Sequence, residues 1–170
     1  MKILALDQSY TCSGIVVFDD GNVVHYSVFK TEKTKDLISK IERAHRIVEY
    51  ISKIATEFKP DLISMEGLAY SSKGNATRDL AGLYFMIIDL LLVRKKYKLE
   101  IVTPTQVKHF ACGKPEKGKK IDKGDMINAL PESTRNKFME LGVKKTTGLA
   151  DLADAYFIGK FVENSIKNKK

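Results

Sequence analysis

The 170-residue chain carries 29 lysines and arginines against 21 aspartates and glutamates, a formal charge of +8. That length lets one domain (1–170) bury a core without disulfides or a structural metal, and Cys12 and Cys112 are too few for a secreted disulfide framework or a thiolate metal site. The longest apolar run, 84–93, contains Asp89 and is too short for a membrane span. Asp7 cuts the first apolar stretch off before a secretory signal is complete, so a cytoplasmic protein is expected.

In chain order, 3–6 reads as a buried strand ending at Asp7, and 14–18 as a second strand. Asp19-Asp20-Gly21-Asn22 is a hairpin turn signal before a third strand over 23–29, so the chain opens with an antiparallel meander. Apolar residues at helical spacing predict a long amphipathic helix over 36–58. Its charged stripe of Lys40, Arg43, Arg46 and Lys53 reads as a solvated face. Lys59-Pro60-Asp61 ends it, and 62–66 then reads as a strand following a crossover helix, with Glu66 at its C-terminal end.

The small, polar stretch 69–77 predicts a mobile surface loop before a helix over 78–96. In that helix Leu83, Tyr84, Ile87, Ile88 and Leu91 form an apolar face suited either to a dimer surface or to the core. A strand over 99–103 follows, with Thr103 as cap and Pro104 as first residue of a short helix. Residues 113–124 form a basic, flexible connector with Lys114, Lys117, Lys119, Lys120 and Lys123. Helices are expected over 125–130, 132–141 and 148–164. Both cysteines read as small buried hydrophobes, and His25, His45 and His109 lack metal-ligand spacing.

The chemistry lies in the carboxylates. Asp7 and Glu66 each end an apolar strand, where burial is costly unless the charge is paired, hydrogen-bonded or bound to a cation. Strand C-terminal ends are where ligands gather in an open α/β sheet. In the last helix Asp151 and Asp154 are three residues apart, on one face of a nearly all-apolar segment with no basic residue before Lys160. A divalent cation is the simplest neutraliser, and an all-oxygen set favours Mg²⁺ or Mn²⁺. Turn-capping for Asp7 and Glu66, and a macrodipole role for Asp151, are the plainer alternatives.

The succession Leu6-Asp7-Gln8-Ser9 with Ser13-Gly14, Ile63-Ser64-Met65-Glu66, Thr103-Pro104-Thr105-Gln106-Val107-Lys108 and Asp151-Leu152-Ala153-Asp154-Ala155 resembles the RuvC-type Holliday junction resolvases over nearly the whole chain. The resemblance implies an α/β, RNase H-like fold with a mixed five-stranded sheet flanked by helices. It also implies a homodimer and a metal-dependent endonuclease that makes paired nicks in four-way junctions and other branched DNA. Asp7, Glu66, Asp151 and Asp154 would ligate two Mg²⁺ ions per active site, with Asp7 bridging them, and Lys108 and Lys123 would meet DNA phosphates near the cut. Two positions depart from the family: Asp7-Gln8-Ser9 replaces Asp-Pro-Gly, and Gly67-Leu68-Ala69-Tyr70 stands where bacterial members carry an aromatic sooner. Tyr70 would be the replacement aromatic and Lys73 a further DNA contact, in what looks like a bacteriophage branch.

Two rivals stand against a nuclease. An actin-like or sugar-kinase ATPase would need a second lobe and a Gly-rich phosphate loop. A non-catalytic branched-DNA-binding relative would have no reason to keep all four acids.

Overall fold

The computed structural model describes residues 1–68 and 74–168. Three strands, β1 (Lys2–Asp7), β2 (Cys12–Asp19) and β3 (Asn22–Lys30), form the expected meander, turned at Asp20-Gly21, both with positive φ. Helix α1 (Leu37–Phe58) is capped by the Asp36 side chain, which accepts from Ser39 N, and ends where Lys59 takes a left-handed conformation before Pro60. Strand β4 (Leu62–Glu66) then pairs parallel to β1, and β5 (Leu99–Val102) parallel to β4. The sheet order is β3-β2-β1-β4-β5, a mixed five-stranded sheet as expected.

Alternation along the strands settles which way the acids face. Ile3 and Ala5 of β1 pack on α6 (Leu149–Lys167), whereas Leu4 and Leu6 pack with Ala44, Ile47 and Ile51 of α1. Asp7 continues the Ile3/Ala5 series and therefore faces α6. In β4, Ile63 and Met65 join the α1 core, leaving Ser64 and Glu66 on the α6 side. The two strand-end carboxylates thus emerge on one face, under the helix that carries the other two.

Several expectations are corrected. Helix α2 (Asn75–Ile88) begins before residue 78 and continues as a π-helical turn, Asp89–Arg94. Most of the predicted loop 69–77, with Tyr70 and Lys73, lies outside the described residues. Leu83, Ile87 and Leu91 are fully buried against the sheet, so they are core rather than a dimer surface; the exposed apolar residues nearby are Phe85, Leu92 and Val93. Arg43 is not on a solvated face but is buried, and Cys112 is exposed rather than buried.

Helix α3 (Pro104–Cys112) has Thr103 and Gln106 as a reciprocal capping box with Pro104 in its first turn. Segment 113–122 has no helix or strand. Helix α4 (Lys123–Ala129) starts two residues earlier than expected because Asp122 and Asp125 cap it reciprocally. Lys123 is therefore the first residue of a helix, not part of the connector. Helix α5 (Glu132–Met139) completes the α6 side. Among the described residues no helix is long and apolar enough to cross a membrane.

Candidate active site

Asp7, Glu66, Asp151 and Asp154 line one cavity of about 250 Å³, together with Ser9, Pro104, Val107, Lys108 and Lys123. Residues from β1, β4, α3, α4 and α6 thus meet at the C-terminal ends of β1 and β4. All four acids singled out in the sequence come together here, and so do Lys108 and Lys123.

Each side chain has a local reason for its position. The turn after Asp7 is tied down by Gln8, whose Nε2 donates to the Glu66 carbonyl at 2.6 Å, linking the ends of β1 and β4. The capping box of α3 fixes the helix that brings Lys108 and Val107 to the cavity. Asp151 is buried and accepts from Gly148 N at 2.7 Å, so it closes the first turn of its own helix. Its second oxygen lies 3.6 Å from Lys123 Nζ. The neutralising cations of the α6 acids therefore come partly from other elements, which reading α6 in isolation did not reveal.

The carboxylates raise one another's affinity for protons. Burial, then the charges of Asp154, Glu66 and Asp151, push Asp7 well above its usual range, and Lys123 opposes them. Burial and Asp154 raise Glu66 to about 7, against the pull of Lys108. Asp154 rises to about 6, chiefly through burial, while Lys123 and Lys108 hold it down. Burial followed by Asp151 pushes the Cys12 thiol up to about 12, so it stays protonated beside the site. Acids that repel one another in a partly dry cleft are poised to exchange protons for a cation.

Hard oxygen donors of this kind suit a divalent cation of the Mg²⁺ class. The donors are not already drawn into a coordination group: among the described residues, no three His, Cys, Asp or Glu side chains are grouped to hold a metal ion. The fit to a cation lies in the chemistry of the set and in its repulsion.

The remaining basic residues singled out in the sequence lie elsewhere. Lys114, Lys117, Lys119 and Lys120 are exposed along segment 113–122, none of them lining the carboxylate cavity. Lys119 pairs with Glu116 at 2.6 Å, and Lys119 and Lys120 border a separate hollow with Cys112 and Asp125. Tyr70 and Lys73 lie outside the described residues. Ser9, Gly14 and Gly148 belong to the site's construction without a role assigned to them from the sequence. Ser9 and Gly14 stand in the first motif of the resemblance, and the signal for Gly148 is that it precedes Asp151 by three residues.

No protein-family model matches the chain, and no curated protein matches it by sequence. Solved structures do. Thermus thermophilus RuvC in complex with a Holliday junction substrate is similar with a TM-score of 0.72 at 18% identity, over 99% of this chain and 96% of that one. The fowlpox virus resolvase, in complex with substrate Holliday junction DNA, gives 0.62 at 13% identity over 98% and 99%. The yeast mitochondrial Holliday junction resolvase gives 0.63 at 16% identity over 94% and 76%. The chain has the fold of RuvC and other Holliday junction resolvases, an RNase H-like mixed sheet flanked by helices.

Proposed function

We propose that this protein is a divalent-cation-dependent endonuclease that cleaves Holliday junctions and other branched DNA by paired nicks. Its main support is the meeting of Asp7, Glu66, Asp151 and Asp154 with Lys108 and Lys123 in one cavity. The cavity stands in a fold shared with proteins solved on junction DNA. The net charge of +8 suits a polyanionic substrate.

Asp7, Glu66, Asp151 and Asp154 would hold Mg²⁺ or Mn²⁺, two ions per site. Such ions, when bound, supply an activated water and charge stabilisation for the leaving oxygen. The chain's own groups do the rest. Lys108 and Lys123 attract the scissile phosphate and offset negative charge as it develops. Without a cation, Glu66 retains a proton near neutrality, so cation binding and proton release are linked. Gln8 holds the strand ends together and keeps Asp7 and Glu66 in register.

Two catalytic sites acting on opposing strands require a homodimer. Phe85, Leu92 and Val93 near α2, and Leu37, Ile38 and Ile41 on α1, are apolar and exposed, with Leu37 and Ile38 at 72% and 71%. They are the surfaces we assign to it. Lys114, Lys117, Lys119 and Lys120 are assigned to DNA outside the cleft, Tyr70 and Lys73 are assigned to DNA contact, and a bacteriophage source accords with the lysine-rich sequence. One domain spanning 1–170 and cytoplasmic action complete the proposal.

One observation favours a second reading, a branched-DNA-binding protein without cleavage: the acids are not grouped for a metal in this conformation. Incubation of a four-way junction and a linear duplex with Mg²⁺ separates the two. Nicks in the junction alone are expected; binding without nicks selects the second reading.

A further inference from the structure

A second cavity, of about 280 Å³, lies on the other side of the β1–β2 turn and is lined by Tyr10, Thr11, Lys33, Thr34, Lys40, Arg43, Ala76 and Asp79. The turn between β1 and β2 is the shared wall, since Ser9 borders the carboxylate cavity and Tyr10 and Thr11 border this one. Three cations stand here against one carboxylate. Asp79 is already engaged by Lys40 at 2.7 Å.

Arg43 is the unusual member. It is 5% exposed, yet among the described residues no carboxylate lies within ion-pair distance of its guanidinium. It donates instead to neutral acceptors, the Tyr10 carbonyl and Thr31 Oγ1, and its guanidinium carbon lies 5.2 Å from the Tyr10 ring centre. Buried charges are normally matched by an opposite charge, and this one holds positive potential in a cleft with low-dielectric walls. Thr34 adds a hydroxyl that is shielded from solvent and has no hydrogen-bond partner among the described residues. Ala76 lies in the first turn of α2, whose N-terminus has no side-chain cap. A cation-rich hollow with a spare hydroxyl and unmatched buried charge is built for an anion with several acceptor oxygens.

We propose that this cavity binds a backbone phosphate of the same DNA strand whose scissile phosphate enters the carboxylate cavity. The inference rests on the nuclease reading and adds a positioning subsite to it. From Ser9 to Thr11 the chain spans at most about 7 Å. The two cavities share that turn, so the second phosphate belongs to the same strand within a few nucleotides of the cut. Arg43 also ties the Tyr10 turn to Thr31 at the end of β3, so phosphate binding here steadies the turn that follows Asp7.

The test uses the full chain and a labelled four-way junction in EDTA, where binding is read without cleavage. Lys33 is exposed and lies outside the carboxylate cavity, so Lys33→Ala keeps the fold and the acids. Affinity is measured from 50 to 200 mM salt for both proteins. Loss of one phosphate contact reduces the salt slope by about 1, so the affinity gap between wild type and variant narrows about 3-fold across that range. Neutral methylphosphonate linkages are then placed singly around the nick positions mapped in Mg²⁺. A linkage within a few nucleotides of the nick should weaken the wild type severalfold and Lys33→Ala by clearly less. Equal salt slopes, or a methylphosphonate effect of the same size in both proteins, would overturn the subsite. Failure of the wild type to bind the junction at all would instead overturn the nuclease reading on which it rests.

Discussion

Gly14 of β2 approaches Asp151 so closely that a Cβ on it would stand 2.1 Å from the Asp151 carbonyl oxygen. Gly14 also pairs with Asp7 in the β1–β2 ladder, so this one residue without a side chain lets α6 settle against the sheet beside the first acid. Gly14→Ala forces backbone apart rather than a flexible side chain. The expected loss is about 2 kcal/mol or more in unfolding free energy, with a further loss of cleavage in the fraction that stays folded. Urea unfolding followed by single-turnover cleavage checks both, and wild-type stability in the variant would contradict the close approach.

The carboxylate cluster makes the cation-free protein sensitive to pH. Glu66 releases its proton near 4.5 when unfolded and at about 7 when folded. Between those values the folded state holds a proton that the unfolded chain has lost. Its contribution is therefore fully present below about 4.5 and fades as pH rises through 7. Asp7 and Asp154 shift in the same direction. In EDTA above neutrality, Glu66→Gln should stabilise the protein by about 2–3 kcal/mol, with the advantage shrinking towards pH 5. Mg²⁺ should stabilise the wild type more than the variant. Thermal unfolding across pH 5–8 with and without Mg²⁺ reads all three effects, and a destabilised variant at pH 8 would refute this electrostatic account.

Lys123 reaches the cavity only because Asp122 caps α4, and its Nζ lies 3.6 Å from Asp151 Oδ1. Its side chain is 61% exposed, so the ion pair adds little to stability. Lys123→Ala should slow junction cleavage about 10-fold or more while changing thermal stability by less than about 1 kcal/mol. Lys123→Arg should recover part of the rate. A loss of stability equal to the loss of rate would assign Lys123 to the scaffold instead.

The positions of the four acids were readable before the fold because short apolar runs end abruptly at Asp7 and Glu66, and because Asp151 and Asp154 share a helix face. The strands and α1 followed from the same periodicities. What stayed hidden depends on contacts between distant segments. Arg43 looks like one charge in a solvated stripe until the Tyr10 turn and Thr31 close over it. Lys123 looks like connector until Asp122 and Asp125 cap each other, an Asp pair where Ser or Thr with Glu is the familiar signature. Leu83, Ile87 and Leu91 carry no mark separating core from interface, since both demand apolar side chains.

The exposed apolar residues offer a test of assembly. Phe85 is 63% exposed, comparable to Leu37 and Ile38. If these surfaces pair two copies, Phe85→Asp with Ile38→Asp should convert a dimer to a monomer by light scattering with unchanged helix content. Paired nicks in one junction should become single, uncoordinated nicks. A wild type that is already monomeric at micromolar concentration would remove this part of the proposal.

The most direct test of the central claim compares wild type with Asp7→Asn on a radiolabelled four-way junction in Mg²⁺, with junction binding measured alongside in EDTA. The account predicts symmetrical nicks on opposing strands with the wild type and a rate lower by at least about 100-fold with Asp7→Asn, while the variant binds the junction as well as the wild type or better. Equal cleavage by both proteins, or binding without cleavage by the wild type in either Mg²⁺ or Mn²⁺, would contradict it.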